Sequence, residues 1–386
     1  MDQRPVKAIG LVSGGLDSTL AVFLMRQLGT DIVALNVASP FCTCNARAFC
    51  GEEGRVLSIS KMLDVPLVVH RSGREYIEII KQPRFGYGKA FNPCQDCRVH
   101  TFEVARRVME ERGARFVFTG EVLGQRPMSQ RLHQLHRIEK EAGLSGLIVR
   151  PLSARLLPPT VPEKNGWVDR SRLLDIGGRS RKKQLALAAQ FQLRGHACPG
   201  GGCLLTETGF CAKLQDAFIH GQDSDEQLRL LRVGRHFRLD AHHKLIMGKD
   251  ERENNVLTGH AGPGRVFFAA ARANGPVALL DTMGERPASL EIYTAAASLV
   301  LRYADVSKDE EHPVSFGSDP LRMADEIATR ACPDDDLLRY KLPEKLLKPP
   351  PWAPPAEPTG QADQHPDDVE WVMCATTTGG STGRDE

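Results

Sequence analysis

No run of about 18 apolar residues occurs anywhere in the 386-residue chain, which excludes a membrane-spanning helix. Excess charge is missing too. Fifty Lys and Arg against 48 Asp and Glu leave a net charge of +2, so no global field draws the chain to nucleic acid, and any such contact needs a local patch. Ten cysteines are too few for a disulfide scaffold in a chain this long. Residues 1–7 lack the apolar core of a signal peptide, so reduced thiols and a cytoplasmic location are expected. There is no internal repeat. A hydrophobic content of 41% with 25% charged residues is that of a globular chain, and the length suggests two or three domains.

What is present begins at once. An apolar segment over 6–12 reads as a strand, and 19–28 reads as a helix. Between them stands Ser13-Gly14-Gly15-Leu16-Asp17-Ser18. Such a turn offers bare backbone N–H groups at the positive end of a helix, which suits phosphate. Its glycines let an anion approach the main chain. Asp17 repels phosphate unless a cation lies between them, which points to Mg²⁺ and pyrophosphate chemistry. The Gly-Lys-Ser/Thr ending of a Walker loop is absent. Further strand-like runs at 32–37, 66–70, 116–119 and 147–151 alternate with helical runs at 54–63, 74–80 and 96–112. This pattern predicts an α/β fold with a doubly wound parallel sheet, whose ligands gather at the carboxyl ends of the strands.

The loop after the first strand resembles the signature of the PP-loop ATP pyrophosphatases, enzymes that adenylate a substrate oxygen and release pyrophosphate. The resemblance implies an adenine nucleotide alpha hydrolase-like fold. It gives Ser13, Gly14, Gly15 and Ser18 the task of holding the pyrophosphate moiety of ATP, with Asp17 acting through Mg²⁺.

Three more groups of residues narrow the chemistry. Asn92-Pro93-Cys94-Gln95-Asp96-Cys97 reads as a helix start, with Asn92 as cap and Pro93 as first helical residue. Cys94 and Cys97 then share the face of the first turn, where the helix dipole is expected to lower their thiol pKa values. This segment resembles the cysteine site of tRNA 2-thiouridylases. Gly120-Glu121-Val122-Leu123-Gly124-Gln125 is similar to a segment of 4-thiouridine synthetases that lies near the nucleotide, which implies cofactor-binding roles for Gly120 and Gln125. In both families a distant cysteine completes the site. Cys203, led in by three glycines and followed by Leu204 and Leu205, fits better than Cys198. Cys42, Cys44 and Cys50 form a further local group whose spacings match no zinc template.

The resemblances imply an ATP-dependent tRNA sulfurtransferase in which Asp17, Cys94 and Cys203 are catalytic. A base carbonyl oxygen, expected to be that of a uridine, attacks the α-phosphorus of ATP, and sulfur then displaces AMP. In one route a persulfide on Cys94 or Cys203 attacks and the other cysteine resolves it as a disulfide. In the other, Cys94, Cys97 and Cys203 ligate a [4Fe–4S] cluster through three irons, and the fourth carries the sulfide. Cys-x-x-Cys with one remote cysteine favours the cluster, with Zn²⁺ or persulfide alone as alternatives. The sulfur donor is a cysteine desulfurase or sulfur carrier, or free sulfide. The oligomeric state stays open. Two other functions remain in view: a ligase acting on a small molecule, as in 7-cyano-7-deazaguanine synthesis, and a non-catalytic RNA-binding quality-control factor.

Downstream, short strand-like runs at 237–239, 244–247, 265–268 and 277–280 and a helix at 290–302 predict a smaller α+β domain. Gly248-Lys249-Asp250 within it resembles the Gly-Arg-Asn turn in the RNA-binding domain of the NFACT proteins of ribosome quality control, with Lys in place of Arg. Arg235, Arg238, Lys244 and Lys249 are the expected phosphate contacts there, and Arg179, Arg181, Lys182 and Lys183 form a second basic cluster. The expected division is 1–218 for thiolation, 223–316 for RNA binding and 317–386 as a partly disordered Pro-rich tail, with a helix over 321–330.

Overall fold

Continuous apolar runs, buried on both faces, place a sheet between two layers of helices in the first half of the chain. The computed structural model describes residues 5–41, 54–193, 202–282, 288–343 and 346. They fall into two units that divide between Thr206 and Glu207.

The first unit contains β1 (Lys7–Leu11), α1 (Leu16–Gln27), β2 (Asp31–Ala38), α2 (Gly54–Leu63), β3 (Leu67–Arg71), α3 (Arg74–Lys81), α4 (Cys94–Glu111), β4 (Phe116–Thr119), α5 (Leu132–Glu141), β5 (Ile148–Val149), α6 (Val161–Lys164) and α7 (Lys182–Gln190). Its strands are all parallel, in the order β3-β2-β1-β4-β5. Successive residues point to opposite faces. Ala8, Ile32, Ala34, Phe116 and Phe118 pack with α1, α2 and α7 through Leu20, Met25, Leu63 and Ala188. Ile9, Val33, Leu35 and Val117 pack with α4 and α5 through Phe102, Val108 and Ile138. Each such fully buried side chain contributes roughly 1.5–3 kcal/mol. The chain runs outward from β1 to β3 on one side and then crosses back to β4 on the other. The strand order therefore reverses between β1 and β4, the place where open parallel sheets leave a crevice.

The second unit contains α8 (Thr208–Ile219), α9 (Asp225–Leu230), β6 (Arg235–Arg238), β7 (Lys244–Met247), α10 (Glu251–Thr258), β8 (Arg265–Ala270), β9 (Ala278–Asp281), α11 (Leu290–Arg302), β10 (His312–Gly317), β11 (Asp325–Thr329) and α12 (Asp334–Tyr340). Its six strands are antiparallel, in the order β11-β10-β8-β9-β7-β6. Leu245, Met247, Phe268 and Leu280 pack on α11, while Ile246, Phe267 and Leu279 turn to the opposite face with Leu230 and Leu257.

Two boundaries differ from expectation. α8 belongs to the second unit, so the division falls at 206/207 and not at 218–223. The second unit also continues well past 316. The run at 321–330 is not a helix but ends in β11, paired with β10 from His312↔Thr329 to Phe316↔Asp325. Ile327 packs against the core there, and this burial outweighs the weak helical pattern.

Candidate active site

The loop leaving β1 folds on its own hydroxyls. Gly14 adopts φ +77°, open to glycine without strain. Ser18 Oγ donates to the Gly15 carbonyl at 2.9 Å and receives the Ser13 amide at 3.3 Å, with the Ser13 hydroxyl 3.4 Å away. Thr19 Oγ1 donates to the same Gly15 carbonyl at 3.0 Å. Asn36 on β2 secures the strand end by donating to the Val12 carbonyl at 2.6 Å.

Across the sheet crevice, the loop after β4 presses onto this helix start. A Cβ on Gly120 would lie 2.4 Å from the Asp17 carbonyl carbon and 2.5 Å from the Ser18 nitrogen. Only glycine fits. Gln125 Nε2 from the same loop donates to Asp17 Oδ2 at 3.1 Å. The other oxygen, Asp17 Oδ1, is buried and makes no hydrogen bond. A buried carboxylate oxygen whose lone pairs accept no hydrogen bond fits a cation, so the donor set is compatible with Mg²⁺.

The cysteines lie beside this loop. Cys94, and not Pro93, is the first residue of α4, and Pro93 occupies the cap position without a side-chain cap bond, so the expected Asn92 cap is not formed. The Asn92 side chain instead hydrogen-bonds Cys94. Asp96 fixes the approach to the helix by accepting from the Arg84 amide at 3.0 Å and the Phe85 amide at 3.1 Å. Cys97 Sγ accepts from the buried Tyr76 hydroxyl at 3.2 Å. Cys203 arrives on a returning segment: the Leu204 amide donates to Phe41 O at 3.0 Å, and the Phe91 amide donates to Leu205 O at 3.1 Å. The Cys203 thiol acts electrostatically on Tyr76, which hydrogen-bonds Cys97, so Tyr76 is common to the two cysteines. All three thiols are partly accessible.

Burial pushes the Cys94 thiol up, and Cys97 adds to that, while Arg126, Asn92 and Arg98 pull it back only in part. The expected depression by the helix dipole is therefore reversed by desolvation. A metal or a bound anion-stabilising partner would be needed to favour the thiolate. Cys42, Cys44, Cys50, Cys198 and Cys374 lie outside the described residues.

The two halves are tied by an ion-pair chain that the sequence did not reveal. Arg98, next to Cys97, reaches Glu121, next to Gly120, with Nη2 2.7 Å and Nε 2.9 Å from Oε1. Arg150 Nε donates to the other oxygen at 3.0 Å and also bonds Glu139. Burial alone would raise the Glu121 carboxyl, but the two guanidiniums outweigh it and hold it below its usual range. Glu121 was visible only as part of a motif. Tyr76, Arg98 and Arg150 are ordinary in sequence and become functional only through the fold.

The expected RNA contacts divide. Arg179, Lys182 and Lys183 are exposed and Arg181 is half-buried, but Lys183 Nζ pairs with Asp175 at 3.2 Å. The Gly178 amide donates to Leu123 O at 2.7 Å, which brings this basic segment alongside the nucleotide-side loop. In the second unit Lys249 is exposed. Arg235 lies over the Tyr303 ring at 4.5 Å. Arg238 and Lys244 are not surface contacts, which corrects the expectation. Arg238 clasps Asp216 with 2.9 and 2.6 Å bonds, and Lys244 Nζ lies 2.8 Å from the same carboxylate. They neutralise a buried acid.

This arrangement is an α/β unit with a parallel sheet, a glycine-rich loop after β1 and three partly accessible cysteines, followed by an antiparallel unit. Residues 5–155 match the family described as Thiamine biosynthesis protein (ThiI), and residues 234–341 match the NFACT protein RNA binding domain. The first match lies within the first unit and the second within the second unit. It is similar to proteins called "Probable tRNA sulfurtransferase" from Methanothermobacter thermautotrophicus (29% identical, covering 31% of this chain and 30% of the relative) and Thermococcus kodakarensis (26% identical, 38% and 36%). The chain spans about a third of the length of these relatives. A solved 4-thiouridine synthetase–RNA complex with bound ATP is 28% identical over 38% of this chain and 36% of that one, with a TM-score of 0.30. No helix among the described residues is long and apolar enough to cross a membrane.

Proposed function

We propose that the protein is an ATP-dependent tRNA sulfurtransferase. The observation that carries this reading is the Arg98–Glu121 pair, which sets the cysteine helix beside the loop that packs on Asp17. ATP occupies the loop from Ser13 to Ser18, whose amides and hydroxyls face the departing pyrophosphate. Asp17, fixed by Gln125, would hold a Mg²⁺ that offsets charge on the phosphates. The carbonyl oxygen of the base attacks the α-phosphorus, and pyrophosphate leaves. Sulfur then replaces AMP at the cysteine end. Arg126 and Arg98, whose positive charges act on Cys94, favour anionic species there.

Cys94, Cys97 and Cys203 would ligate a [4Fe–4S] cluster, whose fourth iron supplies a binding position for sulfide. Lys249, Arg179 and Arg181 supply contacts to the RNA backbone.

The test uses purified protein, ATP and unmodified tRNA. Pyrophosphate release should depend on tRNA and vanish in Asp17→Asn, while Cys97→Ala should lose both thionucleoside formation and the brown absorbance of anaerobically purified protein. Release that ignores RNA would favour a small-molecule substrate. Colourless, zinc-loaded and fully active protein would sink the cluster.

A further inference from the structure

Beside the cysteine centre, three metal-ligating groups converge from three elements. His70 is the next-to-last residue of β3, Glu75 lies in the first turn of α3, and His100 lies on α4 one turn beyond Cys97. Their ligand atoms lie within 4.8 Å of one another. Both imidazoles direct Nε2 toward the same oxygen, Glu75 Oε1, each at 4.0 Å. That distance is too long for a hydrogen bond. A simple His–Glu contact would close on one partner, whereas here one oxygen faces two nitrogens at equal range.

We propose that His70, Glu75 and His100 form a mononuclear site for a divalent transition metal of the zinc class. Two imidazoles and one carboxylate select a borderline-soft ion over Mg²⁺ or Ca²⁺. Tetrahedral ligands about 2.0–2.1 Å from zinc stand about 3.4 Å apart. The two His–Glu distances of 4.0 Å would shorten by about 0.6 Å through Glu75, the exposed member on a flexible side chain, whose Oε1 now accepts from the Gly73 amide at 3.0 Å, while the imidazole nitrogens, within 4.8 Å of each other, would draw in toward the ion. The Ser72 hydroxyl, now 2.9 Å from His100 Nε2, would yield that nitrogen and turn to the open fourth position. Burial keeps both imidazoles neutral and fit to bind, with His100 lowered to about 4. Arg107 acts on both rings and opposes a cation, and the Glu75 carboxylate acts against it. Glu75 is therefore needed for charge as well as for coordination.

The ion would clamp β3, α3 and α4 together. Tyr76 follows Glu75, its ring lies 5.4 Å from that of His100, and its hydroxyl reaches Cys97. The metal would thus hold the residue that hydrogen-bonds a cysteine of the neighbouring centre. The site stands or falls independently of sulfur transfer.

Cobalt separates the two centres. The full chain carrying Cys94→Ala, Cys97→Ala and Cys203→Ala is stripped with chelator and titrated with Co²⁺. Wild-type protein blocked with N-ethylmaleimide serves as a second sample in case the triple variant misfolds. One equivalent of Co²⁺ is expected, with visible d–d bands and no thiolate-to-cobalt charge transfer in the near ultraviolet. Adding Glu75→Gln, an exposed change, should weaken binding at least tenfold with an unchanged circular dichroism spectrum. No cobalt bound, a thiolate charge-transfer band, or the same affinity in Glu75→Gln would each overturn the site.

Discussion

Arg98 and Glu121 join the two halves of the site across 2.7 Å, one residue from Cys97 and one from Gly120. Glu121 also serves Arg150, and both of these side chains are only 3% exposed. Removing the acid takes the counter-charge from Arg98 and leaves buried Arg150 with Glu139 alone, and breaking a buried pair costs up to about 3–5 kcal/mol. Glu121→Gln should therefore lower stability by that order in urea unfolding. Arg98→Met, at the less buried end, should cost less and mainly disturb the register of the cysteine helix.

Gly120→Ala places a methyl group against the main chain of Asp17 and Ser18. Backbone cannot yield as a side-chain tip does, and overpacking of this kind costs about 1–3 kcal/mol. If that strain is relieved by displacing the loop, ATP affinity should fall roughly 5- to 150-fold. Isothermal titration with a non-hydrolysable ATP analogue measures it, and unchanged affinity would contradict the contact.

Tyr76→Phe deletes the donor to Cys97 Sγ, together with the hydrogen bond between the Tyr76 hydroxyl and Ser39. Hydrogen bonds of this class contribute about 0.5–1.5 kcal/mol. The iodoacetamide alkylation rate of Cys97, followed by peptide mass spectrometry, should fall about two- to tenfold. A rate that is unchanged, or that rises, would show that the hydroxyl does not favour the thiolate.

The basic residues of the second unit should separate by salt dependence. Lys249→Ala removes an exposed charge, so it should weaken RNA binding and flatten the plot of log affinity against log salt by about one ion. Lys244→Ala and Arg238→Ala strip counter-charges from buried Asp216, so they should lower the melting temperature instead. Filter binding at several salt concentrations, with melting curves alongside, reads both effects.

Asp216 also sets an acid limit. Burial would raise its carboxyl, but hydrogen bonds from Arg238 and the charge of Lys244 outweigh this and lower it. A lowered folded-state pKa means the contribution is complete above the unfolded value of about 3.9 and is lost as pH falls through the folded one. Wild type should exceed Asp216→Asn in denaturant stability near pH 7, and the difference should shrink as pH drops below about 4. A gap that is constant with pH would mean that the charge is not what stabilises the fold.

Much of this architecture was legible because short periods carry it. The continuous apolar runs of β1, β2 and β4, the Ser13–Ser18 loop and the Cys94–Cys97 spacing are local patterns. What sequence could not show was partnership at a distance. Lys244 reads as a surface base until Asp216, on a different element, is placed against it. Ile327 sits in a weak helical pattern and becomes a strand residue because β10 offers an edge. The thiol of Cys94 looks activated by a helix end until its burial is known. In each case tertiary contact outweighs the local rule.

The reversal of strand order between β1 and β4 has a consequence for how such a protein can change. The nucleotide end is built where the sheet itself opens, from main chain and short turns, so it cannot be altered without rethreading the fold. The thiols ride on one helix and one returning strap attached beside it. That end is modular: the sheet would survive its replacement, and, under the proposed function, a different second step would follow the same activation by ATP.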